Sequence, residues 1–157
     1  MSDIYVIKRS GSKEVLDLEK FHKVVMWACD DIKGVSPSEI ELKSHVQFYN
    51  NIQSADIQET LIKAAADLIS EDTPNYQYVA GRLINYHLRK QVYDNYTPDH
   101  LYNHVKRIVD LGFYTKELLE WYTHEEFDQM QSFIDHSRDE YLTYAAMEQF
   151  RGKYLVQ

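Results

Sequence analysis

Lys8 and Arg9 form a basic pair, and Gly11 follows within one turn of chain. Cations beside a glycine turn suit phosphate. Charge-assisted bonds to phosphate oxygens are strong, and a guanidinium can bind two oxygens at once. Lys20 and Lys90 are further cations that a hairpin folded over helices can bring to the same place. The competing reading is ordinary solvated charge, because most Lys and Arg side chains are exposed. Ser54 can offer its hydroxyl to a ligand or cap a helix. The two roles are compatible, since a helix N-terminus also favours anions.

Other chemistry-bearing residues point less far. His100 and His104 stand four apart, a zinc-ligand spacing, but no Glu lies between them in the protease arrangement and no cysteine is near. They read as surface histidines, and no metal site is expected. Cys29, the only cysteine, falls beside an apolar helical stripe and reads as a small buried hydrophobe. Asp135-His136-Ser137 has the residue types of a triad, but adjacency in sequence is not triad geometry. Glu125-Glu126 and Asp30-Asp31 read as solvated helix charges. There is no Walker lysine loop and no dinucleotide glycine fingerprint. No catalytic residue and no redox cofactor is expected in this chain.

These residues need elements to hold them. Ile4-Tyr5-Val6-Ile7 reads as a strand, Ser10-Gly11-Ser12 as a turn, and Glu14-Val15-Leu16 as the returning strand of a hairpin. Asp17 looks like a helix N-cap. Phe21, Val24, Val25, Ala28 and Ile32 then repeat at helical spacing. Ser36-Pro37-Ser38-Glu39 predicts a capping box with proline at the first helical position. Ser54 caps a third helix with Ile57, Leu61, Ala64, Ala65 and Leu68 inward. Thr73-Pro74 opens a fourth, with Val79, Ala80, Leu83, Ile84, His87 and Leu88 as its stripe.

After a turn at Asp94-Asn95-Tyr96, Thr97-Pro98 predicts another helix start and Gly112 its end. Thr123 and Glu126 form a second capping box, followed by Phe127, Met130 and Ile134. A last helix is expected over 143–150, and Tyr154-Leu155-Val156 has strand character without a following partner. The expected fold is mainly α, with a small hairpin on a four-helix cluster and a helical extension. The division falls at 1–93 and 94–157. The chain reads as cut from something larger or made to pair with another piece.

The 157 residues are 44% hydrophobic and 27% charged, the profile of a folded globular chain. The net charge of −8 argues against a nonspecific nucleic-acid binder, which gains affinity by neutralising phosphates. No apolar run is long enough for a membrane span, and Met1-Ser2-Asp3 does not open a signal peptide. With a single cysteine, no internal disulfide can form. A cytoplasmic protein that binds neither membrane nor nucleic acid is expected.

Val6-Ile7-Lys8-Arg9-Ser10-Gly11, Glu14 and Asp17-Leu18-Glu19-Lys20 together resemble the ATP-cone, the nucleotide-binding module of ribonucleotide reductase large subunits. The match continues through Ile62–Ile69 and Asp72–Arg82. His136-Ser137-Arg138-Asp139 and Gly152–Val156 are similar to the stretch where such proteins enter their catalytic barrel. The resemblance covers essentially the whole chain and is nearest the aerobic, class I, diphosphate-reducing type. It implies a hairpin lid over a four-helix bundle with ATP or dATP between them, accompanied by Mg2+. By that pattern Lys8, Arg9 and Lys90 would hold phosphates. Glu14 would meet the adenine edge, because a carboxylate accepts from an exocyclic amine. Lys20 would share the pocket, Val6, Phe21 and Ile57 would wall the base, and Ser54 would face the sugar.

Two positions depart from the pattern. Asp17 stands where Asn is common and adds a negative charge. Gln58 stands where a His faces the nucleotide; it can still hydrogen-bond the sugar but cannot carry charge. The resemblance implies an allosteric effector site. Its nucleotide would bias assembly of the rest of the large subunit with the small, radical-generating subunit. The family's catalytic cysteines would lie beyond Gln157, so thiyl-radical reduction is not expected of this chain alone. Two alternatives stand beside this reading: a protein-interaction module with a decayed nucleotide site, and one half of a split reductase. Failure of a folded chain to bind nucleotide would favour the first. Copurification with a large cysteine-containing partner would favour the second.

Overall fold

The computed structural model describes residues 4–45 and 47–155. They pack as two units, one of residues up to Leu88 together with those from Asp139 onward, the other Arg89–Arg138.

In the first unit a three-stranded sheet has the order β2-β1-β3. The strands are β1 Tyr5–Ile7, β2 Lys13–Val15 and β3 Ile52–Gln53. β1 pairs antiparallel with β2 as the predicted hairpin, with Val6 opposite Glu14. On its other side β1 pairs parallel with β3, with Val6 opposite Ile52 and Ile7 opposite Gln53. The helices are α1 Leu18–Cys29, α2 Pro37–His45, α3 Ser54–Ala66 and α4 Tyr76–Tyr93. Asp17 caps α1 as expected, its carboxylate accepting from the N–H groups of Glu19 and Lys20, both at 3.0 Å. Phe21, Val25, Ala28, Ile40, Ile52, Ile57, Leu61, Leu83 and Ile84 meet in one buried cluster. Burying that apolar surface holds the layers together, because isolated helices of this length are marginal in water.

Several expected element starts are corrected. Ile32 packs beyond the end of α1, where Asp31 turns the chain at φ 56°. The box at Ser36 and Glu39 is replaced by a relay through Tyr76, which is 1% exposed. The Ser36 N–H donates to the Tyr76 hydroxyl at 2.9 Å, and that hydroxyl donates to the Glu39 carboxylate. Ser54 is the first residue of α3 rather than its cap; the cap position is Gln53, whose side chain makes no capping bond. The extended backbone of β3 hands the chain straight into the helix there. Thr73 bonds the Leu68 carbonyl at 2.7 Å and the Ser70 hydroxyl at 2.8 Å, and α4 begins only at Tyr76.

The segment from Asp139 onward docks on α4. It holds α8 Tyr144–Gln149, capped by Thr143, and a wide π-helical turn over Phe150–Tyr154. Met147 enters the core, and the Arg82 guanidinium donates to the carbonyls of Asp30 (2.7 Å) and Glu140 (3.3 Å). Tyr154 and Leu155 are therefore not strand: the Leu155 N–H reaches back to the Phe150 carbonyl at 3.0 Å. Val156 lies outside the described residues.

The second unit contains α5 Leu101–Asp110, α6 Glu117–Trp121 and α7 His124–Ser132. The cap of α5 is His100, not Thr97; its ring nitrogen accepts from the Tyr102 N–H. Gly112, at φ 79°, ends α5 as predicted, with its own N–H on the Val109 carbonyl and the Phe113 N–H on Ile108. Val105 and Phe127 supply the buried contact, and Tyr102 meets Phe127 edge-on at 5.5 Å. Thr123 and Glu126 form the predicted capping box, with both bonds present. Thr123→Ala is expected to cost about 1 kcal/mol. Faster amide exchange at the start of α7 checks this, with exchange in α3 unchanged.

Candidate nucleotide site in the first unit

The hairpin turn fixes the basic pair. The Lys8 N–H donates to the Ser12 carbonyl at 2.8 Å, and the Gly11 N–H donates to the Lys8 carbonyl at 2.9 Å. Gly11 has φ 82°, a left-handed conformation that glycine adopts without a Cβ penalty. Alternation along β1 puts Val6 and Lys8 on one face, and Glu14 faces Val6 across the pair. Lys8 Nζ accordingly reaches Glu14 Oε1 at 2.7 Å. Both side chains are partly exposed, so the pair adds little to stability.

The parallel pairing does more. Because Ile7 lies opposite Gln53 and α3 starts at Ser54, Lys8 and Arg9 leave the sheet at the same end as the N-terminus of α3. The first N–H groups of a helix have no partner within it, and its dipole favours negative charge there. A cationic turn and a helix N-terminus thus share one end of the sheet.

The apolar residues Val6, Phe21 and Ile57 are buried in the common core. Phe21 meets Phe48 edge-on at 5.4 Å and His45 at 6.2 Å. The Asp17 carboxyl is held below its ordinary range, chiefly by the Lys20 backbone N–H it accepts from, and Lys20 Nζ stands 3.8 Å away. Gln58 carries a buried Oε1 without a hydrogen-bond partner, as do Asn85 at Nδ2 and His87 at Nδ1. Val6, Lys8, Arg9, Glu14, Asp17, Lys20, Phe21, Ser54, Ile57 and Gln58 all belong to the first unit, whereas Lys90, near the end of α4, belongs to the second.

His87 was legible only as a stripe residue of α4. It is 3% exposed, its Nε2 lies 3.5 Å from Glu59 Oε1, and Arg9 stands close enough to act on it and on Tyr86. Burial holds the imidazole below its ordinary value; Glu59 opposes that shift, while Arg9 and Arg151 add to it. The folded state prefers neutral His87, whereas the unfolded chain protonates near 6.5. Its contribution to stability is therefore complete above about pH 6.5 and is lost as pH falls towards the folded value. Urea denaturation at about pH 7.5 and about pH 5.5 should show a smaller drop for His87→Gln than for the wild type. Burial likewise pushes the Cys29 thiol up to about 11, which makes it an inert core residue.

His100 and His104 do not converge. His100 Nε2 lies 3.2 Å from Asp128, while His104 Nδ1 pairs with Arg107 at 3.3 Å. Among the described residues no cluster could hold a metal ion, and no helix is long and apolar enough to cross a membrane.

The ATP cone domain profile matches residues 4–91. The chain is 54% identical over 155 residues to ribonucleoside-diphosphate reductase 1 subunit alpha of Escherichia coli (strain K12), covering 99% of this chain and 20% of that protein. It is 52% identical to the alpha subunit of Haemophilus influenzae (98% and 20% covered) and 40% identical to that of Enterobacteria phage T4 (100% and 21%). The chain thus spans about a fifth of the length of these relatives. With a hairpin packed on helices and the cone profile over more than half of its length, the chain belongs to the ATP-cone family.

Proposed function

We propose that this chain binds ATP or dATP at the hairpin end of its sheet as an allosteric effector. It would be the regulatory portion of a ribonucleoside-diphosphate reductase large subunit in deoxyribonucleotide synthesis. The observation that supports this most directly is the register that sets Lys8 and Arg9 beside the N-terminus of α3. The orphaned Gln58 Oε1 fits a sugar hydroxyl donor. Lys8 and Arg9 would hold phosphates, with Ser54 and Gln58 near the sugar. Val6, Phe21 and Ile57 would wall the base, Glu14 would accept from its amine, and Asp17 and Lys20 would border it. The phosphate role of Lys90 rests on the family resemblance alone. Base and phosphates lie at opposite ends of a nucleotide, so the Lys8–Glu14 pair must open on binding.

On this reading residues 1–93 form the regulatory domain and 94–157 lead towards a catalytic barrel. Mg2+ would accompany the triphosphate. The bound nucleotide would shift assembly with the small subunit by binding the assembled states with unequal affinity. A cytoplasmic setting follows from that role. Calorimetric titration with ATP and separately dATP, with magnesium, tests the reading. Saturable binding is expected; none by a chain that circular dichroism shows folded would move the function to protein interaction.

A further inference from the structure

The start of α3 is only lightly held by its own sequence. Its cap position, Gln53, makes no side-chain bond, which leaves the first turn without that support. Ile57 and Leu61 fix one face of the helix in the core. Glu59, two residues on from Ile57, points about 200° round the helix from it. That side is gripped by a segment 92 positions away: Arg151 Nη1 donates to Glu59 Oε1 at 2.6 Å. The other nitrogen, Nη2, donates to Glu148 Oε1 at 2.6 Å. A guanidinium is planar, with its donors in a rigid fork, so Arg151 sets α3 against the end of α8. His87 Nε2, from α4, lies 3.5 Å from the same Glu59 oxygen, and the two contacts coexist. Arg151 is itself well placed. The Leu155 N–H closes its turn on the Phe150 carbonyl at 3.0 Å, and Met147, one turn earlier, is buried in the core.

We propose that Arg151 is a positioning residue for the nucleotide site: by clamping Glu59 it holds the side of α3 that the core leaves free, and so keeps Ser54, Gln58 and the helix terminus in place for a phosphate-bearing ligand. Neither Arg151 nor Glu59 touches that ligand. The inference rests on the nucleotide reading above and adds the part of the chain that supports the site from outside it. The effect is reciprocal, because a clamp that favours binding is favoured by the bound nucleotide by the same factor. Occupancy therefore tightens the turn Phe150–Tyr154. The Glu59 side chain is about half exposed, so the pair adds little to overall stability and its loss shows in binding rather than in melting.

The test is calorimetric titration of the whole chain with Mg-ATP, compared across three variants. Arg151→Met keeps the aliphatic stem and removes the fork. Its affinity should fall about 5-fold, the lower end of the usual coupling between sites, with little change in melting temperature. Arg151→Lys keeps a charge within reach of Glu59 and should recover most of the affinity. Glu148→Gln leaves the bond to Glu59 and should bind as the wild type does. Hydrogen exchange supplies the reciprocal readout. In the wild type, saturating ATP should slow the amides of the turn Phe150–Tyr154 about 5-fold, and in Arg151→Met it should leave them unchanged. Unaltered affinity in Arg151→Met overturns the proposal. So does a loss that Arg151→Lys does not recover, or an equal loss in Glu148→Gln. ATP binding that leaves the wild-type turn unmoved overturns it as well, and that measurement decides alone if Arg151→Met does not fold. A folded wild-type chain that binds no ATP removes the nucleotide reading itself and the positioning role with it, a result distinct from binding with an unmoved turn.

Discussion

Lys8→Ala is expected to weaken ATP binding by about 10- to 100-fold while the circular dichroism spectrum stays that of the wild type. A charge-assisted bond is worth about 1.5–3 kcal/mol net, and 1.4 kcal/mol is a factor of ten in affinity. The fold should survive because what fixes the turn is the Lys8 main chain, through its N–H to Ser12 and its carbonyl to Gly11. The lost Glu14 pair is partly exposed and contributes little. Lys90→Ala, titrated under the same salt and magnesium, tests the second cation separately. Unchanged affinity in both variants would remove the phosphate assignment.

What the sequence disclosed and what it hid divide along locality. The β1–β2 hairpin, the Asp17 cap, the Gly112 stop and the Thr123–Glu126 box are each written within a few residues, so type and spacing suffice. The expected caps at Ser36, Ser54, Thr73 and Thr97 are as well formed in sequence, yet none acts as written. At Ser36 the competitor is Tyr76, forty residues away, whose hydroxyl takes the N–H that Glu39 would have accepted. At Thr73 it is the Leu68 carbonyl and the Ser70 hydroxyl. A side-chain cap is worth only about 1 kcal/mol, so tertiary packing readily reassigns it.

The site shows the same split. The basic pair and its glycine were legible by type, but the parallel partner that gives them a helix terminus was not. β3 is two residues long, Ile52–Gln53, too short to show any period. His87 was hidden because an apolar stripe absorbs one histidine without comment. Glu59 and Arg151 were hidden because charged residues 92 positions apart carry no sign that they meet. The residues that a motif marks thus lie near the turn, while a contact such as that of Glu59 with Arg151 is made only by packing.

Gly81→Val is expected to be the most damaging single substitution at a helix position that would otherwise accept a side chain. Gly81 lies within α4 and its φ is not in the left-handed region, so backbone freedom is not what it supplies. It supplies space: a Cβ built there would stand 2.1 Å from the Leu142 carbonyl oxygen and 3.1 Å from the Thr143 carbonyl carbon. Both are main-chain atoms held in place by neighbours: Leu142 packs against the core, and Thr143 caps α8 through the Ala146 N–H. Neither can turn aside as a flexible side chain would, so the docked segment must lift from α4. Lifting it withdraws Met147 from the core and breaks the Arg82 bond to the Glu140 carbonyl. Overpacking of this kind costs about 3 kcal/mol. Hydrogen exchange should show the loss first in α8, with α3 and the amides of α1 still protected. Limited proteolysis should cut between Arg138 and Thr143 in the variant long before the wild type. Equal loss of protection in α1, α3 and α8 would mean that the docked segment is not separable from the core and that Gly81 supports the whole unit.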